Sequence, residues 1–272
     1  MPADPTVSVI VTTYNNPRAL ALVLAGLSRQ TAHPAEVLIA DDGSGAETDA
    51  VIEQWAPKLP VRVHRVWHRD EGFRKCTILN RAIEAAEGDY LVFFDGDCVA
   101  PAHCLRAHLD AAREHRYVTG GAVMLSPEFS AQLTPDAVLA GRLERFGWWW
   151  FGVRRARRLW VSRIPWLRRM LDRNVRRPPG WRGGNASTFA RYVREVGGFD
   201  ERFTYGYEDA DFGHRLERSG VIGFSVRYTA PVYHVHHERP YRNDAQREAN
   251  RALYDANRAA GMTATPFGLR RP

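Results

Sequence analysis

Tyr90-Leu91-Val92-Phe93-Phe94-Asp95-Gly96-Asp97-Cys98 is the stretch that decides the fold. Five apolar or aromatic residues run directly into two carboxylates separated by one glycine. A continuous apolar run of this length predicts a strand buried on both faces, as in a parallel sheet. The C-terminal end of such a strand opens into the crevice where α/β sheets bind ligands. Asp95 and Asp97 would stand there, with Gly96 allowing a sharp turn and close backbone approach. Two like charges about 4 Å apart repel by roughly 4 kcal/mol at an effective dielectric of about 20. They therefore require a cation, a proton or hydrogen-bond donors. One reading is a divalent metal that holds a phosphorylated substrate. The plainer reading is a strand-ending turn in which an aspartate caps the next helix, and Asp-Gly-Asp alone does not separate the two.

Upstream, Val7–Thr13 predicts the first strand, and Pro17 opens a helix running to about Gln30. Glu36–Ala40 is a second strand ending at Asp41-Asp42-Gly43-Ser44, followed by a helix over 47–55 and a strand over 61–66. A helix over 74–86 leads into Tyr90, another spans 101–114, and Tyr117–Leu125 is strand-like. Strands alternating with helices of this length specify an α/β fold with a mostly parallel sheet flanked by helices. A GxGxxG fingerprint is absent after the first strand, and so is a GxxxxGK[ST] loop. Three strand ends carry short polar groups instead: Thr12, Thr13, Tyr14 and Asn15; Asp41 and Asp42; Asp95 and Asp97. That is more than turn chemistry requires.

In the second half, Gly183–Ala190 predicts a strand entered through glycines, and Gly206–Leu216 opens a helix with Glu208 and Asp209 in its first turn. The helix dipole favours acids there, so Asp209 is by itself an ordinary cap residue. Val221–Arg227 is a strand, and Tyr233-His234-Val235-His236-His237 follows. On a strand His234 and His236 face one side, which suits a metal-ligand pair as well as a solvated pair. Asn243–Ala260 is an amphipathic helix.

The 272 residues carry 44% hydrophobic and 25% charged residues, enough to bury a substantial core. No window approaches the roughly 18 apolar residues needed to span a bilayer. The N-terminus has no secretory pattern, and the three cysteines form no disulfide framework, so a cytoplasmic setting is expected. Cys98 reads as a small buried residue in preference to a soft metal ligand. The net charge of +7 points to anionic partners. It concentrates between Arg142 and Arg182, which holds thirteen Arg, two acids and six of the eight Trp.

Taken together, these stretches resemble the family 2 glycosyltransferases, with their GT-A-type fold. Val7-Ser-Val-Ile-Val-Thr-Thr-Tyr-Asn15, Asp41-Asp-Gly-Ser44 and Phe93-Phe-Asp-Gly-Asp97 match that family's N-terminal half in order and spacing. Gly183-Gly-Asn-Ala-Ser187, Gly197-Gly-Phe-Asp-Glu201 and Gly206-Tyr-Glu-Asp-Ala-Asp211 resemble the module shared by β-1,4-galactosyltransferases and chondroitin-polymerase-like enzymes. The resemblance spans residues 6 to 240 apart from about 127–180. It implies a nucleotide-sugar-binding half (1–126), a basic Trp-rich insertion (127–182) and a smaller acceptor and catalytic-base half (183–272), together one unit. Thr12, Tyr14, Asn15 and Asp42 would line the nucleobase side. Arg74, Lys75, Asn80, Asp95 and Gly184 would meet the ribose-diphosphate. Trp181, Asn185 and Asp211 would face the acceptor. Asp97 with His234, or His236 as alternate, would ligate Mn²⁺ or Mg²⁺. Asp209 would be the catalytic base beside Glu208.

The function so implied is metal-dependent inverting transfer of a sugar, UDP-linked by default, to a glycan or glycolipid hydroxyl in cell-surface polysaccharide or lipopolysaccharide assembly. A sugar-1-phosphate nucleotidyltransferase would need a glycine-rich basic loop where Tyr14-Asn-Asn-Pro17 stands. A polyanion-binding protein is the third class, and nucleic acid is not the expected partner. For residues 142–182 the expectations are acceptor recognition, through Trp stacking and bidentate Arg, or peripheral contact with an anionic membrane surface. A plain solvated insertion is the alternative to both.

Overall fold

The computed structural model describes residues 4–145, 164–175, 180–238 and 243–269. The chain runs β1 (Val7–Thr13), α1 (Pro17–Leu27), β2 (Glu36–Asp41), α2 (Ala46–Trp55), β3 (Arg62–Trp67), α3 (Lys75–Ala85), β4 (Tyr90–Asp95), β5 (Cys98–Val99), α4 (Cys104–Ala111), β6 (Arg116–Thr119) and β7 (Ala122–Met124). Short helices α5 (Pro127–Gln132), α6 (Pro135–Leu139) and α7 (Arg142–Arg145) follow, then α8 (Pro165–Arg173). The remainder is β8 (Asn185–Phe189), α9 (Ala190–Glu195), α10 (Glu208–Arg218), β9 (Ile222–Ser225), β10 (Val232–His234) and α11 (Asp244–Ala259). The rest of the basic window, 146–163 and 176–179 with Trp148, Trp149, Trp150 and Trp160, lies outside the described residues.

The main sheet has seven strands in the order β3-β2-β1-β4-β8-β6-β9. β3, β2, β1 and β4 are mutually parallel, as their crossover helices dictate. β1 is buried throughout and β4 up to Phe94, because helices cover both faces of the sheet. β8 enters antiparallel between β4 and β6. The second half of the chain is thereby built into the same sheet as the first.

Tyr117–Leu125 is not one strand. It breaks at Gly120-Gly121 into β6 in the large sheet and β7 in a small three-stranded sheet ordered β5-β10-β7. The break coincides with a close approach: a Cβ on Gly120 would lie 2.0 Å from Asn185 Nδ2. The small sheet has a direct consequence for the strand ends. β10 pairs antiparallel with β5, setting His234 opposite Cys98. The Val235 N–H donates to Asp97 O at 2.8 Å.

Two apolar layers sandwich the large sheet. One packs α1, α2 and α4 against Val9, Val11, Val92 and Phe94. The other gathers Phe93, Trp181, Phe199 and Phe212 beneath α3 and α10. In the second layer Phe199 and Phe212 stack at 4.3 Å, and Trp181 meets Phe212 and Phe93 edge-on at 4.8 and 5.4 Å. No helix among the described residues is long and apolar enough to cross a membrane.

Phe93 is 1% exposed and joins the β4 interior to this aromatic layer. Phe93→Ala is expected to lower stability by about 3–5 kcal/mol, measured by urea denaturation with an unchanged m-value. A loss below about 1 kcal/mol would show that the layer collapses around the cavity.

Candidate active site

The C-terminal ends of β1, β2 and β4, with the start of α10 and the segment after β10, enclose a cleft of about 600 Å³. Thr12, Tyr14, Asn15, Asp42, Lys75, Asp95, Asp97, Glu208, Asp209, His234 and His237 line it. Most of the residues expected from sequence are therefore brought together.

Asp95 is held from two sides. Its Oδ1 accepts from Thr12 Oγ1 at 2.9 Å and from Lys75 Nζ at 2.7 Å. Burial disfavours the Lys75 ammonium, but Asp95, Asp209 and Glu208 outweigh it and raise its pKa well above the ordinary lysine range. Asp97 is not a helix cap: β5 follows it directly, and α4 begins only at Cys104 with His103 as its N-cap. Its Oδ2 lies 2.8 Å from His237 Nε2 and 3.5 Å from His234 Nε2. The two imidazoles stack at 5.5 Å, and one atom from each of the three residues falls within 4.8 Å of the others. Burial raises the Asp97 pKa, but the hydrogen bond from His237 and the charges of both histidines reverse this and lower it. Cys98 Sγ donates to Asp97 Oδ1 at 3.3 Å, and burial holds its pKa well above the usual thiol range.

His236 is a correction to the expected ligand pair. β10 ends at His234, so strand alternation does not carry on to 236. His236 is exposed and donates its backbone N–H to Ser130 Oγ at 2.9 Å. The turn after β10 brings His237 to Asp97 in its place.

Asp209 is not the cap of α10. Tyr207, in the left-handed region at φ 71°, occupies the N-cap position without a side-chain bond. Asp209 Oδ2 accepts from Gly183 N at 2.9 Å, while Oδ1 is sealed from solvent and has no hydrogen-bond partner. Burial pushes the Asp209 pKa up to about 7; Lys75 opposes this, while Glu208 and Asp95 add to it. Glu208 is also raised, chiefly by burial, and its Oε2 likewise lacks a partner. The glycine pair fits between the carboxylates. A Cβ on Gly183 would lie 2.8 Å from Asp209 Oδ1, and one on Gly184 would lie 2.7 Å from Asp95 Oδ2.

At the β2 end the two aspartates separate by role. Asp41 is fully buried and bound by Arg65 and the Ser44 N–H. Asp42 lines the cleft, where it bonds His68 Nε2 at 2.6 Å and accepts from the Arg74 N–H at 3.0 Å. Burial raises the Asp42 pKa against both contacts. Tyr14 is 45% exposed at the cleft mouth, its hydroxyl donating to Asp70.

Several expected site residues serve the scaffold. The Arg74 side chain pairs with Glu71 and the Arg69 carbonyl. Asn80 bonds both N–H and C=O of Phe199, and Glu201 as well. Asn185 bonds His108 and the carbonyls of Gly121 and Ala230. Asp211 pairs with buried Arg215 and with Asn257. Trp181 is 3% exposed within the aromatic layer. Conversely, Tyr205 and Glu238 line the cleft with no role expected from sequence, and Thr13 and Phe73 line it beside residues that had one. Phe73 and Tyr205 meet edge-on at 5.9 Å. Phe73 opens the stretch Phe73–Asn80, which resembles the family's helix over the nucleotide.

A family model described as glycosyl transferase family 2 matches residues 8–177. A second, described as the N-terminal domain of galactosyltransferase, matches residues 175–238. Chondroitin synthase of Escherichia coli is 25% identical over 253 residues, which are 84% of this chain and 34% of that protein. Hyaluronan synthase of Pasteurella multocida is 27% identical, covering 90% of this chain, which spans 26% of that protein. An N-acetylglucosaminyl-diphospho-decaprenol L-rhamnosyltransferase of Mycobacterium tuberculosis is 27% identical, over 95% of this chain and 87% of that protein. Among solved structures, the mannosyltransferase PcManGT of Pyrobaculum calidifontis, in complex with GDP-Man and Mn²⁺, shares the fold. Its TM-score is 0.61 at 18% identity, covering 97% of this chain and 67% of that one. S. aureus TarS in complex with UDP gives a TM-score of 0.52 at 19% identity, covering 84% of this chain and 60% of that one. With the family model matched across well over half of its length, and with the strand-end carboxylates gathered in one cleft, the chain belongs to glycosyl transferase family 2.

Proposed function

We propose that the chain is a metal-dependent inverting glycosyltransferase, moving a sugar from a nucleoside diphosphate sugar, by default UDP-linked, to a hydroxyl of a glycan or lipid-linked glycan. One observation carries this reading. Asp209 presents a solvent-sealed, unpartnered carboxylate oxygen in the same cleft that holds the Asp97–His234–His237 cluster. A buried polar atom without a partner is costly unless a ligand supplies one. An acceptor hydroxyl does so, and with a pKa of about 7 the carboxylate can take that proton near neutral pH. A non-catalytic polyanion-binding protein has no use for such a group.

Asp97, His234 and His237 fit a divalent cation, with one carboxylate oxygen and two imidazole nitrogens within 4.8 Å of one another. That donor set suits Mn²⁺ better than Mg²⁺. Bound there, the cation would neutralise the donor diphosphate and the charge that grows as it leaves. Thr12, Tyr14, Asn15 and Asp42 would receive the nucleobase, Asp42 accepting a ring N–H. Lys75, fixed by Asp95, would add positive charge on the diphosphate side, and Glu208 would orient the acceptor. Peripheral contact with an anionic membrane through residues 142–182 belongs to the same reading. So does a place in cell-surface polysaccharide or lipopolysaccharide assembly, of which the polysaccharide part is supported by the chondroitin and hyaluronan synthases among the similar proteins.

Thermal melting with UDP-sugars, with and without Mn²⁺, tests the donor side. A ligand bound only by the folded state raises the melting temperature. Asp97→Ala is expected to abolish the Mn²⁺-dependent part of that shift, and an undiminished shift would reject the site. Asp209→Asn is expected to retain the shift while lowering transfer about 10²–10⁴-fold, measured as nucleotide release in the presence of acceptor. Wild-type transfer should fall about tenfold per pH unit below pH 7, as Asp209 becomes protonated.

The sign of the stability effect is independent of activity. A raised carboxyl pKa means that the folded state holds the proton more tightly than the unfolded chain. Stability is then lost as pH rises from about 4 to 7. Asp209→Asn should therefore raise the melting temperature by several degrees at pH 8, and the gain should vanish near pH 4. A destabilised Asp209→Asn variant at pH 8 would sink this account of the buried carboxylate.

A further inference from the structure

A second cleft, of about 580 Å³, lies between α4, β6, β9 and α8 and shares no lining residue with the catalytic cleft. Arg113, Arg116, Arg168, Arg169 and Arg173 line it. Among the described residues its arginine ion pairs are confined to Arg106, which meets Asp4 and Asp110. Arg113 and Arg116 donate to the Ala112 and Ala111 carbonyls, and Arg168 reaches His103. Six arginines thus face two acids, Asp110 and Asp172, in the lining of this cleft, which leaves it with a net positive charge.

The helix that forms one wall has a second feature. α8 exposes Trp166, Arg169, Met170 and Arg173, spaced i, i+3, i+4 and i+7 on one face. Trp166 is 67% exposed and Met170 is 44% exposed. The helix's one acid, Asp172, is turned inward. It accepts from the Tyr228 and Thr229 N–H groups at 3.0 and 2.9 Å and from Thr229 Oγ1 at 2.6 Å. This fastens α8 to the β9 side and leaves an outer face of two apolar side chains flanked by two arginines. Sugar rings stack on Trp, but Met170 gives a glycan nothing. An apolar pair rimmed by cations matches instead the boundary between acyl chains and phosphate headgroups.

We propose that the outer face of α8, continued by the arginine cleft behind it, is the surface that seats the protein on an anionic phospholipid bilayer. Trp166 and Met170 enter the interfacial layer, and Arg169 and Arg173, at the rim shared by face and cleft, meet lipid phosphates with the other cleft arginines. The inference rests on the membrane contact included in the proposed function and assigns that contact to named residues.

Co-sedimentation of the full chain with vesicles tests it, using phosphatidylcholine alone and phosphatidylcholine mixed with phosphatidylglycerol. Wild type should partition onto the anionic vesicles only, and less as salt rises. R169A/R173A should lower that partition about thirtyfold, at roughly one surface arginine's attraction per charge removed. W166A should lower it while keeping the salt dependence. Both variants should melt with wild type, because all three side chains are exposed. If wild type binds anionic vesicles and both variants bind equally well, the α8 assignment is overturned while membrane contact stands. If wild type binds no vesicle, both fail. Binding to heparin that depends on Arg169 and Arg173, without vesicle binding, would make the partner a soluble polyanion and also overturn the proposal.

Discussion

One ammonium group balances the carboxylates of this cleft. Lys75 Nζ sits 2.7 Å from Asp95 and within electrostatic reach of Glu208 and Asp209. One positive charge cannot satisfy three negative ones in a partly desolvated space, so burial raises both Glu208 and Asp209 in spite of Lys75. Asp209 is pushed up to about 7, while Asp97, which has two imidazoles of its own, is lowered. The two carboxylates are thereby left with opposite tendencies to hold a proton. The difference arises from which partner each was given and from no difference in the side chains themselves.

The sheet makes that division possible. Asp95 and Asp97 arrive at the end of a central parallel strand, and Lys75 opens the helix that precedes it. Asp209 comes from the far half of the chain, and its distance from Asp95 is governed by Gly183-Gly184, which lead into β8. Because β8 hydrogen-bonds directly to β4, both carboxylates are referred to one rigid frame. A hinge between the halves would leave the buried oxygen of Asp209 poorly placed.

Much of the frame was legible in the sequence. Buried parallel strands announce themselves as unbroken apolar runs, and the strand-end polar groups mark one edge. What the sequence hid were features fixed by tertiary contact. The Gly120-Gly121 break answers to Asn185, a residue far away in the chain. Strand alternation favoured His236 over His237, and it misleads because β10 stops at His234, where its pairing with β5 ends. Asn80, Asn185 and Asp211 are polar residues within the motifs, and the motifs gave no way to tell a side chain facing substrate from one stitching loops together. In the structure each is consumed by backbone carbonyls or a buried arginine. Asp209 shows the opposite case: a position indistinguishable from a helix cap whose carboxylate reaches across to Gly183.

The three short strands β5, β10 and β7 carry a consequence for how the protein is made. Asp97 is made well before its histidine neighbours, which lie more than a hundred residues later, His234 at the end of a strand held by a few hydrogen bonds to β5 and β7 and His237 just beyond it. Loop closure of that length must precede any gain from the contact. The Asp97–His234–His237 cluster thus forms only once the chain through His237 has been made and the small sheet has closed. An ion captured there would act as a seal on completed folding, leaving truncated or half-folded chains without it.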